Sequence, residues 1–103
     1  MTIQTYAVGT SVGNAYTSTG NTAITSLTLC NWGPNTLLAN LYVVPNSAGF
    51  STTNIAMANV EIQSGDTLQM YVAAEKVVLG PGDMIQINAN IATLAAVTSY
   101  TSV

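Results

Sequence analysis

The chain is 103 residues long with a formal net charge of −3, and only five side chains are charged: Glu61, Asp66, Glu75, Lys76 and Asp83. A typical soluble domain carries about a quarter of its residues as Asp, Glu, Lys or Arg, so the groups behind several common functions are missing. There is no histidine to shuttle protons near neutral pH, no arginine, and a single lysine to hold a phosphate backbone.

At 10.6 kDa the chain is expected to form one domain, burying roughly 60 to 70% of the surface its unfolded form exposes. Nearly half the residues are apolar, and the rest are mostly Thr, Ser, Asn and Gly. Disorder pairs low hydrophobicity with high net charge, and this chain has the reverse. The longest apolar stretches, residues 41–45 and 77–79, fall far short of the roughly 20 residues a membrane-spanning helix needs. Met1-Thr2-Ile3-Gln4-Thr5 has neither the basic start nor the apolar run of a secretory signal, so cytosolic synthesis is expected. Cys30 is alone and cannot form an intrachain disulfide; inside an apolar strand it reads as a small buried hydrophobe.

In chain order, residues 1–22 are rich in Thr, Ser, Gly, Asn and Tyr, and their short alternations are broken by Gly9, Gly13 and Gly20. They read as an extended N-terminal arm, with 23–103 as the β domain. Such an arm either frays or adds a strand to a neighbouring subunit, and Ile3, Tyr6, Val8, Val12 and Tyr16 favour the second. From Ala23 the texture becomes short runs of β-branched and aromatic residues with frequent turn signals, the pattern of a sandwich or barrel.

Strands are expected at 24–31, 36–44, 55–62, 67–72, 76–79 and 84–90, with 91–103 closing a sheet. Within the first, Leu27 and Leu29 share one face, and Ser26, Thr28 and Cys30 share the other. Leu41-Tyr42-Val43-Val44 is nearly continuously apolar, which predicts a strand covered on both faces. Residues 60–70 echo residues 77–87 as strand, Gly-Asp turn, strand. Gly65 and Gly82 can supply positive φ, Pro81 pre-sets a turn, and Asp66 and Asp83 can bond nearby backbone amides. The fold expected is all-β, a compact antiparallel sandwich of about six to eight strands, jelly-roll or Ig-like.

Candidate chemistry is sparse. A serine or cysteine nucleophile lacks a histidine base, and Lys76 beside Glu75 reads as a surface ion pair. Cys30 has no second thiol or imidazole to complete a zinc set. No phosphate-binding glycine loop occurs. Nucleic-acid binding pairs aromatics with a basic groove, whereas Trp32, Phe50 and the five tyrosines have one lysine among them. Carbohydrate binding needs no charge and stays open. No catalytic, metal or cofactor site is therefore expected, and the candidate interface is Ile3, Tyr6, Val8, Tyr16, Trp32 and Phe50. Trp32 and Phe50 lie in expected loops, where each either meets a partner or folds back over an open end of the sandwich.

Three segments carry a resemblance: Ala23-Ile24-Thr25-Ser26-Leu27-Thr28-Leu29-Cys30-Asn31, then Leu41-Tyr42-Val43-Val44-Pro45, then Leu79-Gly80-Pro81-Gly82-Asp83-Met84-Ile85. Together they resemble small β-sandwich structural proteins of tailed-bacteriophage virions, over about residues 23 to 90. The resemblance implies a non-catalytic virion component on the capsid surface. That component would be a capsid decoration (cement) protein, a homo-oligomer with a trimer favoured, packed on the major capsid protein and engaging neither nucleic acid nor membrane. A tail- or fibre-associated module binding a host receptor or carbohydrate is the alternative.

Overall fold

The computed structural model describes residues 2–70 and 77–102. Among them run nine strands and no helix: β1 (Thr2–Val8), β2 (Gly13–Thr17), β3 (Thr22–Asn31), β4 (Leu37–Val44), β5 (Ile55–Ile62), β6 (Thr67–Met70), β7 (Val77–Leu79), β8 (Met84–Ala89) and β9 (Leu94–Ser102). No helix among these residues is long and apolar enough to cross a membrane. One antiparallel sheet has the order β1-β9-β3-β6, with β7 also on β3, and the other has the order β2-β8-β4-β5. β6 pairs with Leu27–Cys30 of β3 and β7 with Thr22–Ile24, so the two short strands follow one another along one strand.

Period-two alternation decides which faces meet. Leu27 and Leu29 of β3, Leu37, Ala39 and Leu41 of β4, Ile85 and Ile87 of β8, and Leu94 and Ala96 of β9 are all buried in one core shared by both sheets. Burying such side chains contributes about 1.5–3 kcal/mol each. In β4, however, Leu38 is exposed and Asn40 and Tyr42 are half-buried. The strand expected to be covered on both faces is thus covered on one, except at its last residue, Val44.

The arm expected over residues 1–22 is replaced by strands of the chain's own sheets. All seven residues of β1 pair with β9, and β2 pairs with β8 around a register shift between Asn14 and Tyr16. Val8, Ala15 and Tyr16 belong to the core, and the Tyr16 ring lies 4.4 Å from that of Tyr100. Gly9 to Val12 is the crossover between the sheets, so the glycines that break the alternation mark a change of layer. Residue 22, the expected end of the arm, is the first residue of β3.

The repeated strand, Gly-Asp turn, strand pattern forms two crossovers between the sheets. The Asp66 N–H donates to the Gln63 carbonyl at 3.0 Å, and the Asp83 N–H donates to the Gly80 carbonyl at 3.2 Å. Gly65 and Gly82, third in each turn, have φ of 78° and 82°, the type II signature. The Asp83 carboxylate accepts the Asn46 N–H at 2.8 Å and the Gly80 N–H at 2.9 Å, as expected. Asp66 instead works through its backbone, its carbonyl accepting the Asn31 N–H at 3.0 Å. The Glu75–Lys76 pair lies outside the described residues.

The two glycines make a controlled comparison. A Cβ at Gly82 would lie 2.5 Å from the Asn46 side chain, whereas one at Gly65 meets nothing within 4 Å. Gly65→Ala and Gly82→Ala are each expected to cost about 1–2 kcal/mol for the left-handed backbone, with little added at Gly82 because the exposed Asn46 side chain can swing aside. Denaturant titration of the two variants checks this. A clearly larger loss at Gly82 would mean that Asn46 does not give way.

Candidate functional site

Because both sheets bury one face, the chain presents two outward faces, and their side chains follow from strand register. On the β1-β9-β3-β6 sheet, Thr5, Val97, Thr28 and Gln69 align across four strands, and Ala7, Ala95, Cys30 and Thr67 form the next row. All are uncharged and, apart from Gln69, small or β-branched, so they make a surface mainly of methyl and hydroxyl groups. Cys30 is half-exposed on this face, not the buried hydrophobe expected, because it alternates with Leu29.

The opposite face has different chemistry. Asn14, Gln86 and Tyr42 align across β2, β8 and β4. The Gln86 amide donates to Asn14 Oδ1 at 2.5 Å, and the Asn40 amide donates to Asn88 Oδ1 at 3.1 Å. Asn40 Oδ1 also accepts the Asn59 N–H at 2.8 Å. Tyr42 stands beside Phe50 with ring centroids 5.4 Å apart. Amides pairing across strands take the place that ion pairs hold on most sheet surfaces. Glu61, exposed on β5, is the charge at the border of this face.

The expected interface residues separate into three groups. Ile3 is 63% exposed on the outward face of β1, Trp32 is 66% exposed and Phe50 is 53% exposed. Val8 and Tyr16 are core residues, turned away from any partner by the pairing of β1 and β2 within the chain. Tyr6 is half-buried against the core edge. Trp32 and Phe50 lie at opposite ends of β4, so they do not form one patch. Trp32 follows β3 and donates its backbone N–H to the Thr93 carbonyl, and Phe50 sits in the loop after β4.

The end of the molecule below Trp32 is organised by a residue that the sequence places simply at the end of an expected strand. Asn31 is fully buried. Its amide nitrogen donates to the carbonyls of Asn35 at 2.8 Å and Ile62 at 3.0 Å. Its amide oxygen accepts the Gly33 N–H at 3.1 Å and the Thr93 hydroxyl at 3.0 Å. With its backbone bonds to Gly65 and Asp66, one side chain and its peptide groups join three interstrand connections. The signal was available, since Leu27, Leu29 and Asn31 fall on one face by parity.

Among the described residues no group of three or more His, Cys, Asp or Glu side chains could hold a metal ion. The geometry offers contact area: two sheet faces on which, among the described residues, Glu61 is the charged side chain, exposed aromatics at each end, and sheet edges. No protein-family model, curated protein or solved structure matches the chain.

Proposed function

We propose that the chain is a non-enzymatic structural subunit of a virion, a capsid decoration (cement) protein that stabilises a tailed-phage head by packing on its shell. The observation that carries this is the strand order. We read sheets of order β1-β9-β3-β6 and β2-β8-β4-β5, joined by crossovers at every connection except β4 to β5 and β6 to β7, as a jelly roll of two interlocked Greek keys. Jelly rolls serve as viral capsid and lectin domains. Faces of Thr, Ala and Asn with little charge suit lateral packing, where apolar burial of about 25 cal/mol per Å² meets little cost of desolvating ions.

A second reading has its own support. The amide row beside Tyr42 and Phe50 is the surface chemistry that a neutral carbohydrate requires, and it fits a tail-fibre module. Imaging of the particle decides between the two. A decoration protein is expected in many copies over the head, and particles lacking it should lose resistance to heat. Density confined to the tail tip would overturn the capsid assignment and favour the fibre module.

A further inference from the structure

Strand edges present unpaired N–H and C=O groups, and proteins guard them with charge, proline, bulges or brevity. Within the described residues the edges at β2 and β5 carry such a guard, and the edge formed by β6 and β7 is described only over Thr67–Met70 and Val77–Leu79. β2 has five residues and a register shift. β5 carries the exposed Glu61, register shifts against β4, and Asn59 at a φ of 51°. β1 has none of these. It runs seven residues in unbroken register with β9, without charge or proline, and its second edge pairs with no strand among the described residues.

We infer that β1 pairs antiparallel with β1 of a second copy of this chain, about a two-fold axis through Thr5, so that two sheets become one. A two-fold axis normal to the sheet keeps outward residues opposite outward residues. Centred on Thr5 it also uses the whole strand: Ile3 faces the partner's Ala7, Gln4 faces the partner's Tyr6, and the two Thr5 side chains face each other. Thr–Thr pairs of this kind are favourable cross-strand contacts. A centre moved to Gln4 or Tyr6 leaves residues unpaired at the strand ends, and a centre between two residues sets outward against inward side chains.

Shape supports the same register. Ile3 projects from the outward face, 63% exposed. On the same face a shallow depression of about 310 Å³ opens between β1 and β9, cornered by Thr5, Ala7, Ala95 and Val97. Ile3 precedes Thr5 on β1 and the hollow runs from Thr5 to Ala7, so the two-fold brings each Ile3 to the rim of the other copy's hollow, beside Ala7. None of the charged residues within the described segments lies on β1 or β9, so two copies of like net charge meet without local repulsion. The symmetry is even, in place of the trimer that the resemblance implies.

The dimer goes beyond the virion assignment and rests on edge geometry alone; it is tested on the isolated chain, so its failure leaves the particle-imaging test untouched. Sedimentation velocity is run on the wild-type chain, on Thr5→Lys, on Thr5→Glu and on their equimolar mixture. The wild type is expected to sediment as a dimer at micromolar concentration. Each charged variant, with like charges opposed on the axis, is expected to dimerise at least about tenfold more weakly, and the mixture to recover the dimer. Ala7→Glu, at a second exposed position of the same pairing, should weaken it likewise, and circular dichroism verifies that each variant keeps its β signal. A wild-type monomer or trimer, or a dimer indifferent to both Thr5→Lys and Ala7→Glu, overturns the inference.

Discussion

Replacing Asn31 with alanine is expected to lower the free energy of unfolding by about 3–4 kcal/mol, a large part of the roughly 5–15 kcal/mol that holds a domain of this size. The substitution deletes four side-chain hydrogen bonds at a fully buried position. A lost bond alone costs about 1 kcal/mol, but a buried partner left without water costs about 1–3 kcal/mol more. The Ile62 carbonyl and the Gly33 N–H are the partners whose bonds are buried. At roughly 4–8 °C per kcal/mol the melting temperature should fall by about 12 °C or more. Asn31→Asp sharpens the test. It keeps the size and the acceptor that serves Gly33 and Thr93, but it turns the donor side, aimed at the Asn35 and Ile62 carbonyls, into a carboxylate oxygen. Near neutral pH it should destabilise at least as much as alanine. Calorimetry of the two variants checks both statements, and a melt of Asn31→Ala within about 2 °C of wild type would remove Asn31 from its place as the tie of that end.

Strands β3, β8 and β9 were legible because they bury one face each, and period-two alternation is a local property of sequence. Residues 55–62 fall on β5 as expected, and Leu27 and Leu29 point inward as their spacing requires. Residues 1–22 were misjudged for the same local reason. β1 and β2 are edge strands whose outward side chains mix Ile3 with Thr, Ala and Asn, so their alternation is shallow. What secures them is pairing with β9 and β8, at least 67 residues away in sequence. The Gly-Asp turns were legible as turns because positive φ is a property of four residues. That they change sheets instead of closing hairpins depends on where β6 and β8 find partners, which no window of that length contains. The candidate interface residues divide along the same line: Ile3 and Tyr16 look alike in sequence, yet one is exposed and the other buried. Only the register of β1 and β2 tells them apart.

The second large effect is expected at the centre of the core. Leu29→Ala should cost about 3–5 kcal/mol, toward the upper end for such truncations, because its surroundings cannot collapse into the space. Leu29 is fully buried on β3, with Ala96 of β9 on one side and Leu68 of β6 on the other. Ala15, Ala39, Ala89 and Ala96 all belong to this core. Alanine has no side-chain torsion with which to reach into a void, and strands paired on both sides cannot shift one at a time. The large residues therefore carry the packing, and a missing isobutyl group leaves a cavity. Leu68, only partly buried on the neighbouring strand, provides the contrast: Leu68→Ala should cost about 1–2 kcal/mol, since water and adjoining side chains can fill the space. Urea titration reads both as a shift in midpoint at constant slope. It should be run on the Thr5→Lys background, because any association of folded chains would add a concentration-dependent term to the apparent stability. A Leu29→Ala loss no larger than that of Leu68→Ala would mean that the strands do close over the gap, and that the alanines of this core mark room for adjustment rather than rigid contact.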